Sequence, residues 1–208
     1  MTNHVDIFSR YFKENTWGCD ESVSGAGSTV QATKYLVREL GDLLRRYSVK
    51  SILDLPCGDF NWMRYVDLAG IDYLGADCVE ELIALNRNNH PERNFVKLDL
   101  LNDILPTVDL IICRDCLFHF PNGDIEKALS NIKRSGSKFI LTTSFSWKTY
   151  PNIDISMGDF RRINLEIEPF NLPPPYERII EGNQETSTSA GSQADRAMCL
   201  WPCSLLKV

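Results

Sequence analysis

At 208 residues, 43% hydrophobic and 24% charged, the chain is long enough to bury one substantial core and does not require a second domain. A formal net charge of -6 argues against broad binding to nucleic acid, because a phosphate backbone needs clustered Lys and Arg to displace its counterions. The start, MTNHVDIFSRYFKENTWG, has no basic region leading into an apolar run, and no later stretch approaches the roughly 20 apolar residues that cross a bilayer, so a cytoplasmic protein is expected.

In chain order, an aromatic-rich opening is expected to be irregular. Leu36, Leu40, Leu43, Leu44 and Tyr47 then recur at helical spacing and predict an amphipathic helix over 30–47. SILDL (51–55) reads as the first strand, followed by a turn through Pro56, Cys57 and Gly58 and a helix starting near Asn61. DYLGAD (72–77) is the second strand, and VEELIALNRNN after it places Val79, Leu82 and Ile83 on one helical face. NFVKLDL (94–100) is the third. VDLIICRD (108–115) is too short for a core helix and rich in β-formers, so it predicts a fourth strand covered on both sides. Ile125, Ala128, Leu129 and Ile132 mark a helix, and SKFILTTSF (137–145) the fifth strand. Strand-helix units in succession imply right-handed crossovers and a mostly parallel sheet with helices on both faces. Residues 146–176, rich in Pro, Asn and aromatics, are long enough to cover a site. ERIIEG and AMCLWPCSLL read as a final antiparallel pair joined by a mobile polar loop, NQETSTSAGSQAD.

In an open α/β sheet the ligand lies beyond the carboxyl ends of the strands, so residues 54–60, DLPCGDF, face it. A dinucleotide-binding turn wants three glycines so that a pyrophosphate can approach the backbone; this one keeps Gly58 alone. Asp54 and Asp59 would repel a pyrophosphate and attract a cationic amino-acid or sulfonium group. Asp77, ending the second strand, suits a ribose, and Asp99 with Leu100, ending the third, suits an adenine edge.

With its acids at the ends of three successive strands, the region 48–145 resembles the class I S-adenosylmethionine-dependent methyltransferases. WGCDESVSGAGS, DLPCGDFNWM, RDCLFHF and GDFRRINLEIEPFNLPPP together resemble a small subgroup of that family, some of whose relatives are thought to methylate sugars. The resemblance implies a Rossmann-like α/β sheet of seven mostly parallel strands with an antiparallel last strand, in a single domain over 1–208. Residues 1–47 would be an N-terminal cap and first helix, 48–145 the cofactor-binding core, 146–176 a substrate-covering insert and 177–208 a C-terminal hairpin. By the same resemblance Asp54, Leu55 and Gly58 line the methionine part of the cofactor, Asp77 the ribose, and Asp99 with Leu100 the adenine; Pro56, Asp59, Cys78, Arg114, Trp17 and Ser28 complete the expected cofactor-binding set.

Methyl transfer from a sulfonium is a direct displacement, so the protein must align the acceptor and take its proton. Asp115 and His119 in CRDCLFHF are the candidate bases; Asp115 could instead cap its turn, and His119 could be a satisfied core histidine. Trp147, Asn152, Asp154, Arg161, Arg162 and Asn164 in the insert are candidate acceptor-binding groups for a hydroxyl of a small polar molecule such as a sugar or glycan. Asp115 with Asn152 and Asp154 is a weaker candidate for a divalent metal site, since no tight acidic spacing accompanies it. Cys113, Cys116, Cys199 and Cys203 mimic a zinc set, but a fifth strand should separate the pairs, and seven cysteines without a disulfide rhythm fit a reducing compartment. The alternatives kept open are N-methylation or nucleic-acid methylation, a catalytically silent partner protein of the same fold, and, from fold alone, a nicotinamide-dependent oxidoreductase.

Overall fold

The computed structural model describes residues 3–146, 151–181 and 195–207. Its strands are β1 (Ser51–Asp54), β2 (Asp72–Asp77), β3 (Asn94–Lys97), β4 (Leu110–Cys113), β5 (Phe139–Phe145), β6 (Glu177–Ile180) and β7 (Arg196–Pro202). Its α-helices are α1 (His4–Glu14), α2 (Val30–Arg46), α3 (Glu80–Asn89) and α4 (Asn122–Arg134).

One seven-stranded sheet runs in the order β3-β2-β1-β4-β5-β7-β6. The pairs from β3 to β5 are parallel, whereas β7 lies antiparallel to both β5 and β6. Chain order reverses between β1 and β4, which opens a crevice at their carboxyl ends. Alternation along the strands feeds two cores. Ile52, Leu110, Ile112 and Leu141 pack with Leu36, Leu40, Leu43 and Leu44 of α2, while Leu53, Ile111 and Ile140 pack with Ile125, Ala128, Leu129 and Ile132 of α4. All four residues of β4 are buried, as an apolar run covered on both faces requires.

Three expectations are corrected. The opening is not wholly irregular: Asn3 caps α1 by accepting from the Val5 N–H, and Asn15 closes it at φ 44. Ile7, Phe8, Tyr11 and Phe12 form its apolar stripe, yet no α1 residue is fully buried: Phe8 and Phe12 line a cavity, and Phe8 packs against the core only from its edge. No α-helix starts near Asn61; only a 3-10 turn, Met63–Tyr65, lies between β1 and β2. Phe60 sits at φ 58, and Phe60, Trp62, Met63, Val66 and Leu68 are all buried, a spacing that no single helical stripe satisfies. The β3–β4 connection likewise has no helix, so the strand-helix alternation is incomplete. The polar loop expected at 183–195 falls, except for Asp195, outside the described residues.

Gly75 in β2 lets the Phe95 ring lie across the strand, since a Cβ there would stand 2.5 Å from Phe95 Cδ1 and 3.1 Å from the Tyr73 hydroxyl. Phe95 is itself wedged against Phe60 and Tyr73. Gly75→Ala should therefore cost about 1–3 kcal/mol by overpacking. Urea unfolding checks it: the midpoint should fall at constant slope, and an unchanged midpoint would refute the packing argument.

Candidate active site

A cavity of about 480 Å³ occupies the crevice at the switch point. Its floor is the turn after β1, and one wall is the segment 22–28 stapled onto that turn. Asp59 makes the staple: its carboxylate accepts from the Ser22 hydroxyl (3.0 Å), the Val23 N–H (3.0 Å) and the Ser24 hydroxyl (3.3 Å). Asn61 donates to the Ser28 carbonyl (3.1 Å) and to Glu21 (2.8 Å), and Glu21 also accepts from the Val30 N–H (2.6 Å) at the start of α2. Gly58, at φ 55, is where this wall meets the turn; a Cβ there would lie 2.3 Å from Ser24 Oγ.

The strand ends supply three carboxylates. Burial pushes the Asp54 carboxyl up to about 7, against a 2.7 Å hydrogen bond from the Tyr73 hydroxyl. Burial likewise pushes Asp77 up to about 6, although it accepts from the N–H groups of Gly58 (3.3 Å) and Val79 (3.1 Å). Partial burial works against charge at Asp99, but hydrogen bonds from His4, Asn102 and the Leu101 N–H outweigh it and hold its pKa at about 2. A carboxylate offers about four lone-pair sites. Asp77 is engaged by the N–H groups of Gly58 and Val79 and by Cys78, and it still lines the cavity. Asp54, buried with its charge disfavoured, gains most from a cationic group.

The opposite end is held by paired charges. Arg114 donates to Glu181 (2.6 Å) and to the Gly27 carbonyl (2.8 Å), and lies over the Trp62 ring at 5.3 Å. Burial opposes its charge, but Asp115 and Glu181 beside it raise its pKa above the usual arginine value. Arg196 pairs with Asp115 and with Glu181 (3.2 Å). Asp115, in the left-handed region at φ 52, also accepts from the Thr143 hydroxyl (3.0 Å).

His119 closes this end. Its Nδ1 lies 2.8 Å from the Asp159 carbonyl. A carbonyl only accepts, so Nδ1 carries the proton and Nε2 the lone pair. Burial lowers its pKa below the usual histidine value, against the raising effect of that hydrogen bond and of Asp115. Trp17, Phe118 and Phe160 surround the ring with centroids at 5.9, 4.6 and 6.1 Å.

The structure brings together on this one cavity Asp54, Leu55, Pro56, Gly58, Asp59, Asp77, Cys78, Asp99, Leu100, Arg114, Asp115, His119, Trp17 and Ser28. Of the acceptor-binding candidates among the described residues, only Arg162 lines it. Asn152 donates to the carbonyls of Asn164 and Glu168, Asp154 accepts from the Asn122 and Ile155 N–H groups, Arg161 donates to the Phe118 carbonyl and Asn122, and Asn164 accepts from the Glu166 N–H. These four organise the insert instead of facing the cavity. Trp147 lies outside the described residues. Asn152 and Asp154 do not join Asp115, and no cluster of three or more His, Cys, Asp or Glu side chains suited to a metal occurs among the described residues. Sequence reasoning missed His4, Phe8, Phe12, Glu181 and Arg196; only the α1 stripe left a local signal.

Residues 52–136 match the family described as a methyltransferase domain. No curated protein matches the sequence. Among solved structures, magnesium protoporphyrin IX methyltransferase from Synechocystis PCC 6803 with bound SAM aligns at 16% identity and TM-score 0.56, covering 76% of this chain and 82% of that chain. The same enzyme with bound SAH aligns at 19% identity and TM-score 0.53, covering 69% and 72%. PH0226 protein from Pyrococcus horikoshii OT3 aligns at 20% identity and TM-score 0.46; the match covers 54% of this chain and spans 57% of that chain. The fold is that of the class I methyltransferases, a seven-stranded sheet with β7 antiparallel. The methyltransferase-domain match runs from β1 to just past α4, and the two structures that share this fold at TM-scores above 0.5 hold SAM or SAH. No described helix is long and apolar enough to cross a membrane.

Asp54 yields a pH prediction. A carboxyl whose folded-state pKa is raised from 3.8 to about 7 contributes fully to stability below 3.8, and that contribution is lost as pH rises through about 7. Asp54→Asn should therefore melt higher than the natural protein at pH 8, with the gain shrinking toward pH 4, while binding S-adenosylhomocysteine at least about tenfold more weakly. Melting curves across that range and calorimetry check both; a gain independent of pH would refute the burial argument.

Proposed function

We propose that the protein transfers a methyl group from S-adenosylmethionine to a hydroxyl of a small polar acceptor, a sugar or glycan being the class its walls suit best, with His119 as general base. The observation that carries this reading is the Asp159 carbonyl at His119 Nδ1, 2.8 Å away, which leaves Nε2 as the basic nitrogen of a cavity-lining ring. A lowered pKa keeps that ring neutral at pH 7, the state in which it accepts a proton.

S-adenosylmethionine would supply an electrophilic sulfonium methyl: the acceptor oxygen would bond to that carbon in line as the carbon–sulfur bond breaks, leaving neutral S-adenosylhomocysteine. Asp77 would hold the ribose hydroxyls, Asp99 and Leu100 the adenine, and Asp54 with the turn at Gly58 the cationic amino-acid end. His119 takes the acceptor's proton at Nε2 and returns it to solvent as imidazolium. Asp115 suits that task less, because Arg114, Arg196 and the Thr143 hydroxyl already engage its carboxylate. It serves better as a fixed acceptor that orients the substrate. Trp17, Phe118 and Phe160 offer flat apolar faces beside the polar Asp115 and Arg162, a combination suited to a ring with apolar faces and hydroxylated edges.

His119→Gln should lower kcat by about 10² to 10⁴ while S-adenosylhomocysteine affinity stays within about twofold. In the natural protein kcat/KM should rise with pH through a pKa below the ordinary 6.5 of histidine and then level. Labelled-methyl transfer to a panel of sugars, glycans, phenols and amines tests the acceptor; label on amines alone would overturn the hydroxyl assignment.

A further inference from the structure

Helix α1 touches both ends of the cavity. At its start His4 Nε2 lies 3.0 Å from Asp99 Oδ1, at the end of β3. Seven residues later, about 10 Å along the same face, the Tyr11 hydroxyl donates to the Gly158 carbonyl (3.3 Å). Gly158 is buried, sits at φ 92 and has no room for a side chain: a Cβ would lie 2.8 Å from the Tyr11 hydroxyl and 2.9 Å from Ile7 Cγ2. From this contact the backbone leads directly to the base. The Gly158 N–H donates to the His119 carbonyl (2.8 Å), and the next residue, Asp159, supplies the carbonyl that accepts from His119 Nδ1 (2.8 Å).

We infer that Tyr11, seated against Gly158, is a positioning residue for His119: it holds the turn whose Asp159 carbonyl decides which imidazole nitrogen is free to take a proton. The inference rests on the reading of His119 as the base. Its physical basis is the geometry of a single turn. Asp159 is exposed; its N–H donates to the Ser156 carbonyl (3.1 Å) inside the same turn, and α1 seats that turn from outside through Tyr11 and Gly158. The Tyr11 ring also meets Trp17 edge-on, with centroids 5.6 Å apart, and Trp17 stacks near His119 at 5.9 Å, so the same residue braces the imidazole from a second side. The charged groups nearest His119 are Asp115 and Arg161, neither of which α1 contributes. Removing Tyr11 therefore changes the orientation of the ring without deleting a charge beside it.

The test uses the full chain saturated with S-adenosylhomocysteine and labelled with ¹⁵N-histidine, of which there are 3. The natural protein should show His119 as the Nδ1-protonated tautomer. Gly158→Ala and Tyr11→Ala should each give mixed tautomers and a kcat lowered about tenfold or more, with S-adenosylhomocysteine affinity within about twofold. Tyr11→Phe, which keeps the ring, should restore most of kcat. Should Gly158→Ala fail to fold, Tyr11→Ala carries the same readouts. Unchanged tautomer and kcat in Tyr11→Ala would overturn the inference. A shifted tautomer together with full activity in His119→Gln would instead sink the general-base reading and leave the positioning contact standing.

Discussion

The carboxyl end of the sheet depends on four paired charges, the buried guanidinium groups of Arg114 and Arg196 set against the buried Glu181 carboxylate and the partly exposed Asp115. They join the ends of β4, β6 and β7, and through Gly27 they reach the N-terminal wall. Burying an ion costs several kcal/mol, and a hydrophobic replacement of similar volume is often as stable. Stability alone therefore does not explain the quartet. What it provides is a wall of fixed shape: Glu181 bridges both guanidinium groups, Asp115 is held in a left-handed backbone conformation, and the cavity beside them stays open instead of filling with apolar side chains. The segment 22–28 can line a cavity because Arg114 anchors its far end and Asp59 its near end.

That scaffold explains which parts of the site were legible in the sequence. Asp54, Asp77 and Asp99 follow strands recognisable from short runs, so their places at the sheet edge follow from topology. Glu181 and Arg196 were invisible because each meets Arg114 or Asp115 across 67 and 81 residues of chain, and nothing local distinguishes them from solvated charges. The insert was legible in position but not in role. Asn152, Arg161 and Asn164 have the composition of a binding loop, but an irregular segment with little ladder must satisfy its own backbone groups, which Asn152 and Asn164 do, while Arg161 ties the insert to the Phe118 carbonyl. Asp59 shows the same ambiguity inside the site. It lines the cavity as expected, while its oxygens staple one segment to another.

Electrostatic character changes along the cavity. At the β1 and β2 ends, burial of the carboxyl groups outweighs the hydrogen bonds they accept, so their pKa values stand at about 7 and about 6. At β3, His4 and Asn102 supply donors and Asp99 stays fully ionised. Burial without compensation makes a site that is costly when empty and favourable when filled by a positive group and by hydroxyls. Beyond it, around His119, the walls become aromatic. Carboxyl groups line the part where a donor would be held, whereas near His119 Arg and Asp side chains are paired with one another among aromatic rings.

The depleted turn DLPCGDF shows how one glycine can stand where a family pattern has three. Glycine-rich turns let the backbone approach a ligand but leave it loose, and the looseness must be removed on binding. Here Gly58 and Phe60 both take the left-handed conformation, and side chains hold what freedom remains at Gly58: its N–H donates to Asp77 (3.3 Å), and its carbonyl accepts from Asn86 of α3 (2.7 Å). Cys57 N–H donates to the Ala76 carbonyl (2.7 Å), tying the turn to β2. Phe60, where flexibility would otherwise enter, is buried against Tyr73 and Phe95. Asp77 thus both clamps the turn and faces the cavity, so the turn's shape and its ligand carboxylate are set by the same hydrogen bond. At Gly58 a side chain has no space, because Ser24 already occupies it.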